Sequence, residues 1–186
     1  MIKTIKGCTL AVAILGANTA MAGGLWLNEF GDFSGGRAAA GAAAGLDDPM
    51  TIAYNPASIA RLEGSQLFVS AGAIISQVKF DTDYSTARLG NNDGGDAGGV
   101  APFSSAAYVH DFGSSKWSGG ISLVGLAGAG LDYDDDWVGR YQATKVDLMV
   151  MALSPTVAYQ VTDKLSVGAS VQVIYSNVNI HLAGPR

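Results

Sequence analysis

The chain has 186 residues, a formal charge of -5 at neutral pH and a mean hydropathy of +0.24. An acidic balance argues against nucleic acid, whose phosphates attract basic patches. Its single cysteine, Cys8, excludes an internal disulfide, and beyond the first residues no apolar run approaches the ~20 residues of a spanning helix.

Lys3 and Lys6 precede an apolar stretch from Cys8 to about Ala17, and Ala20-Met21-Ala22 follows. Basic, apolar and small-residue parts in that order predict a cleavable export signal over 1–22. The apolar stretch is about half of what a spanning helix needs. Cys8 precedes that stretch instead of following it, which argues against a lipid anchor.

Residues 23–64 fit neither a signal nor a sheet. They carry the apolar Leu25, Trp26, Phe30 and Phe33, an Ala/Gly-rich run from Arg37 to Gly45, and Asn55-Pro56-Ala57. Gly41 and Gly45 match GxxxG in a segment too short to be a membrane helix. Placed just before amphipathic strands, this stretch reads as a hatch threaded into a barrel mouth.

From Gln66 the period becomes two, the signature of a strand with unlike faces. Strands are expected over about 66–80, 101–112, 117–130, 144–161 and 166–180. The connections between them run long, short, long, short, as transmembrane barrels alternate outer loops with periplasmic turns. A soluble β-sandwich also alternates, but its outward face would carry more charge and its loops need not alternate in length. A membrane-embedded sheet must close to satisfy its backbone, and closed bacterial barrels have eight or more strands. The expected fold is therefore all-β: an antiparallel transmembrane β-barrel with an N-terminal hatch, of which 65–186 form a truncated portion with about five strands.

Strand direction assigns the inner faces. Toward the periplasm they hold Ser70 and Gly72; Ser118, Gly120 and Ser122; and Gly168, Ser170 and Gln172, small enough to leave room for a hatch. Toward the outside they become apolar, and Ile74, Val78, Phe80, Val124, Leu126, Met149, Met151 and Ile174 are the candidate lining of a hydrophobic ligand pocket. A water-filled porin keeps its interior polar, whereas apolar walls with adaptable methionines suit a hydrophobic ligand. The same side chains could instead pack on the hatch or on inward-folded loops.

Certain segments carry a resemblance. They are Gly24-Leu25-Trp26-Leu27-Asn28-Glu29-Phe30, Gly36-Arg37-Ala38, Asp47-Asp48, Asn55-Pro56-Ala57, Asp136-Trp137-Val138-Gly139-Arg140-Tyr141, Pro155 to Tyr159 and Leu165 to Gly168. Together the chain resembles the FadL/TodX-type outer-membrane transporters of long-chain fatty acids and aromatic hydrocarbons. The resemblance implies a fourteen-stranded barrel in the Gram-negative outer membrane, with a hatch marked by Asn55, Pro56 and Ala57. It implies capture at the outer loops, an apolar pocket, and sideways release at a kinked third strand. Here that irregularity would fall within Val124–Gly130, where Gly125, Gly128 and Gly130 interrupt the pattern; glycine in a strand often marks a bulge. For a fatty-acid carboxylate, Arg140 and Lys145 are the candidate contacts, although Asp147 shares a face with Lys145 and Arg140 can brace the acidic loop.

Asp132, Asp134, Asp135 and Asp136 lack EF-hand spacing and read as a solvated loop. His110 and His181 are too scattered for a metal site or a triad. Gly125–Gly130 lacks the strand–turn–helix context of a nucleotide loop. Trp137, Tyr141 and Tyr175 read as an outer aromatic girdle. The expectation is a non-enzymatic transporter without cofactor or metal, whose partners are a hydrophobic small molecule and outer-membrane lipid, with no nucleic acid, and which is a monomer when full length. Long-chain fatty acids are the expected substrates. The alternatives are aromatic hydrocarbons, or a non-transporting surface barrel that acts as an adhesin or structural protein.

Overall fold

A computed structural model describes residues 30–44, 48–82, 90–113 and 116–184. The expected signal segment and the candidates Leu25 and Trp26 lie outside them. Among the described residues six strands form one antiparallel sheet: β1 (Ser65–Ile75), β2 (Val100–Asp111), β3 (Trp117–Asp132), β4 (Lys145–Thr162), β5 (Leu165–Ser170) and β6 (Val173–His181). Neighbours pair in chain order through β5, and β6 also pairs with β4.

β5 and β6 lie on one line along β4. The pairs Ser170↔Thr156 and Val173↔Leu153 belong to the same register, broken only at Val171 and Gln172. Pro155 explains the break. Val171 N–H donates to the Pro155 carbonyl at 3.1 Å, but proline has no N–H to return the second bond of that pair. The expected fifth strand is thus interrupted from across the ladder.

The pairings sort the side chains. Ser70↔Ser105, Ala107↔Ser122 and Ser122↔Ser154 share the inner face with Val109, Val124, Ala152 and Ala158. Leu67, Val69, Ile121, Leu153, Val157 and Val167 point the other way and are exposed. Between its ends this outer face is apolar, with Asp132, Lys145 and Asp147 only at the upper edge, and an apolar band of that kind is what strands show to lipid.

Against the inner face packs the segment before β1, built from short turns and one helical turn, α1 (Thr51–Tyr54), followed by a 3₁₀ helix over Pro56–Arg61. Met50, Ile52, Ile59 and Leu62 are buried with Phe30 against Ala107, Val109, Val124, Leu126, Ala152 and Ala158. The core of the described residues is this contact between the sheet and the segment before β1, called the hatch below after the role expected of it.

Two expectations on the strands are corrected. β1 ends at Ile75, so Val78 and Phe80 lie in the β1–β2 connection. There Ser76 N–H donates to Gly99 O and Ala97 N–H to Val78 O (both 2.9 Å), which carries the β1–β2 register on to a bridge between Lys79 and Asp96. Val78 N–H, however, goes to an Asp96 carboxylate oxygen (2.9 Å), and the regular ladder stops. Met149 and Met151 pair with Gly128 and Gly125, share their face with Leu153, and lie opposite the buried Ala152. They belong to the outer face, because period two leaves the inner one to Val146, Leu148 and Val150.

Candidate functional site

Asn55 organises the hatch. Its extended backbone (φ -149°, ψ 101°) separates α1 from the 3₁₀ helix, and its side-chain oxygen accepts from Ala57 N–H at 3.1 Å. Asn fits that N-cap position because its short amide reaches the orphan donors. The Asn55 Nδ2 group donates to Ala43 O at 3.0 Å, and Ser58 Oγ donates back to Asn55 O at 2.6 Å. Pro56 follows at the first turn, where no N–H is required.

The wall meets this segment through small residues. A Cβ on Gly168 would stand 2.5 Å from both Ala57 N and Pro56 C, one on Gly120 would stand 2.8 Å from Ile52 Cδ1, and one on Gly31 would stand 2.5 Å from Ser70 Oγ. Each is inside van der Waals contact, so the hatch seats only where a side chain is missing or short. Ser105 Oγ donates to Phe30 O. Phe30 is buried beside Tyr54, with ring centroids 5.1 Å apart, whereas Phe33 is 75% exposed and meets Phe68 edge-on. Asp48 is buried too and accepts from Met50 N–H at 2.9 Å; burial raises its carboxyl above the ordinary range.

Above the hatch, Val124 and Leu126 are inner and buried, with Val150 packed beside them. Ile74 and Ile174 lie on the same inner face, through Ile74↔Ala101 and Ile174↔Ala152, but are exposed. Val146, Leu148 and Val150 complete this apolar surface. The sequence signal for them was parity with the small inner residues Ser154, Thr156 and Ala158 further along β4.

The third strand carries a register shift between Gly125 and Ala127, which leaves Leu126 as the extra residue; Gly128 and Gly130 remain paired with Met149 and Asp147. Beside that bulge the wall parts. The β2–β3 ladder ends at Ala106↔Leu123, although β2 continues to pair with β1 up to Val100 and β3 with β4 up to Asp132. At the top, Asp132 N–H donates to Ala97 O at 3.0 Å. A slot therefore lies between Val100–Ser105 and Val124–Leu131, closed below by the ladder and bounded above by one hydrogen bond. A cavity of about 160 Å³ sits at its upper end, lined by Ala97–Ala101, Gly130–Asp132, Ser76, Lys145 and Asp147.

The two candidate cations do not face the apolar surface. Lys145 lies on the outer face and bonds Asp132 at 3.1 Å across the β3–β4 pair, not Asp147 along its own strand. Arg140 donates to the carbonyls of Trp137 (3.0 Å) and Asp136 (3.2 Å) and lies 4.7 Å from the Tyr141 ring centre. Trp137 is 7% exposed, stacked on Tyr133 at 3.9 Å with its Nε1 donating to Ala143 O. It is the core of an interlocked loop pair, not part of a girdle: Val138 N–H donates to Asn92 O and Phe80 meets its ring edge-on.

With this geometry in place, the comparisons are specific. Residues 13–185 match the family model of the outer membrane protein transport proteins (OMPP1/FadL/TodX). The chain is 27% identical over 180 residues to a long-chain fatty acid transport protein of Salmonella typhi, covering 95% of this chain and 40% of that protein. It is 27% identical over 191 residues to outer membrane protein P1 of Haemophilus influenzae, covering 96% and 42%. Among solved structures, a Pseudomonas aeruginosa FadL homologue superposes with a TM-score of 0.64 at 24% identity, covering 85% of this chain and 39% of that one. The chain spans about two fifths of the length of these relatives.

Proposed function

Because the chain belongs to the OMPP1/FadL/TodX outer membrane transport proteins, a non-enzymatic family of Gram-negative outer-membrane β-barrels, we propose that it serves passive uptake of hydrophobic compounds, long-chain fatty acids first among them. In this reading the ligand rests on the inner surface of Val124, Leu126, Val146, Leu148, Val150, Ile74 and Ile174. It leaves sideways through the slot beside the third strand, and the hatch gates the pocket from below. The observation that carries the reading is the coincidence of three features at one height: an apolar inner surface, a bulge at Leu126 and a parted β2–β3 seam.

Each CH₂ removed from water contributes ~0.8 kcal/mol, so a long acyl chain gains far more from such a surface than one aromatic ring does. That arithmetic and the names of the fatty-acid relatives favour fatty acids over aromatic hydrocarbons. A non-transporting surface barrel has no observation in its favour. Cells carrying the protein should take up labelled oleate faster than cells without it, and more strongly than labelled toluene. Correctly assembled barrel with no gain for either substrate would sink the proposal.

A further inference from the structure

The slot has edges of a particular chemistry. In an antiparallel sheet successive residues direct their backbone N–H and C=O to alternate neighbours. On β2, Gly99 bonds toward β1 (Ser76 N–H to Gly99 O) and so does Asp111 (its N–H to Gly64 O), whereas Phe112 bonds toward β3 (its N–H to Trp117 O). Odd residues of β2 therefore serve β1, and Val100, Pro102 and Ser104 turn their backbone to the slot.

On β3, Trp117 bonds toward β2, which sends Gly125 the same way. Above the bulge the parity changes: Tyr133 N–H bonds to Thr144 O and Asp132 N–H bonds to Ala97 O. Gly130 and Gly128 hence face the slot as well. One rim is a row of three glycines; the other includes a proline that has no N–H to leave unpaired.

Bare rims are unusual for a wall in lipid, where each unpaired backbone group costs several kcal/mol. The glycines expose them further. A Cβ at Gly125 or Gly130 would meet nothing within 4 Å, and one at Gly128 only Leu148 O at 3.9 Å. Space does not demand glycine at any of the three. Their effect is to leave amides and carbonyls uncovered along the opening.

Charge at the slot restricts what can use these groups. Its titratable neighbours among the described residues include Asp132 at the upper end, with Lys145 and Asp147 across β3, Asp96 beside Ala97, offset by Lys79 across its bridge, and His110 below its base. Lys145 is bonded to Asp132, so Asp147 leaves the upper mouth net negative. A carboxylate would pass there without a cation, while leaving water for hydrocarbon.

We propose that the slot rims form a hydrogen-bonding track for the uncharged polar head of an amphiphile, and that a fatty acid passes through it as the protonated acid. This inference rests on the sideways route proposed above and adds the chemical state of the molecule that takes it. A protonated carboxyl or an alcohol both donates and accepts, which matches a rim that presents both N–H and C=O. A plain alkane does neither.

The test compares uptake of a long-chain fatty acid, the alcohol of equal length and the alkane of equal length by cells carrying the wild-type protein or Gly128→Val. The branched side chain overhangs the rim and should lower acid and alcohol uptake about five- to tenfold, the worth of roughly one hydrogen bond, with alkane uptake changed less than about twofold. In the wild type, acid uptake relative to alcohol should fall toward tenfold per pH unit above the carboxyl pKa. Gly125→Ala and Gly130→Ala serve if Gly128→Val fails to assemble, with a smaller effect of the same pattern. Equal loss for all three substrates would overturn the track and leave the sideways route standing, since the rim would then only set a width. An acid-to-alcohol ratio independent of pH would overturn the protonated passage. No change for any substrate in the assembled variant would overturn the track and the route together.

Discussion

The lower and upper halves of the β2–β3 seam are made from the same two strands and behave oppositely. Below, Ala106–Asp111 and Ser118–Leu123 pair residue for residue, and the inner face is filled by Ile52 and Phe30 of the hatch. Above, β2 and β3 each keep one partner and lose the other. Glycine occurs in both halves with different meaning. Gly120 and Gly168 lie where a Cβ would strike the hatch or the backbone beside it, whereas Gly125 and Gly130 have open space. A glycine in a membrane strand can thus make a contact or prevent one, and only the neighbours tell which.

Removing the bulge should have the largest effect on that contrast. Deletion of Leu126 would give β3 a single parity along its length and let its upper half face β2 as the lower half does. Hydrophobic uptake should drop by tenfold or more, ~1.4 kcal/mol in barrier terms, in a barrel that still assembles and resists denaturant. Unchanged uptake by the deleted form would break the link between bulge and slot. On the closed half, Ile59 is fully buried; Ile59→Ala should weaken hatch docking by about 2–5 kcal/mol in urea or thermal unfolding. Phe33→Ala, at an exposed ring, should change the same midpoint hardly at all.

The pair of glycines sharpens the comparison further. Gly168→Ala forces a methyl against Pro56 and Ala57 backbone and should cost about 1–3 kcal/mol of stability. Gly130→Ala, with nothing to strike, should cost almost none. Equal costs would mean that the hatch does not read the wall through its small residues. Asn55→Ala removes the cap on Ala57 N–H and the bond to Ala43 O, and about 0.5–2 kcal/mol is expected to go with them, seen as easier proteolysis between residues 30 and 64.

Alternation was enough to read the outer and inner faces of β1, β3 and β5, since Leu67 and Val69 against Ser70 and Gly72, or Ile121 and Leu123 against Gly120 and Ser122, differ in chemistry as well as position. It failed where both faces are apolar. Along Val146 to Met151 nothing in the residues says which parity turns inward; the answer comes from the small residues further along the strand, Ala152 to Ala158. It overran at Val78 and Phe80, which continue the period and register of β1 beyond its last regular residue, where Val78 N–H takes an Asp96 side chain in place of a backbone partner. The break between β5 and β6 was invisible locally because its cause, Pro155, lies in the neighbouring strand. Trp137 looked like an interfacial aromatic because its burial depends on Tyr133, Phe80 and a loop more than forty residues earlier.

The smallest expected effect lies in the hatch, at Asp48. Burial raises its carboxyl above the ordinary 3.8 of an aspartate, while the Met50 N–H bond pulls the other way and does not win. An acid whose folded pKa is raised binds its proton more tightly in the folded state, so its contribution to stability is most favourable in acid. That contribution falls as pH climbs from about 3.8 through the folded value. Asp96 has the opposite sign: backbone donors from Val78 and Gly98 lower its carboxyl, so it favours the folded loop above the ordinary range and stops doing so in acid. Replacing Asp48 by Asn keeps an acceptor for Met50 and removes the ionisation. Asp48→Asn should accordingly unfold at higher urea than wild type at pH 7, with the gap closing as the pH falls toward 4. A gap that persisted or widened in acid would place the origin of the difference in packing and not in the charge, and the closed half of the seam would then owe nothing to keeping that carboxyl dry.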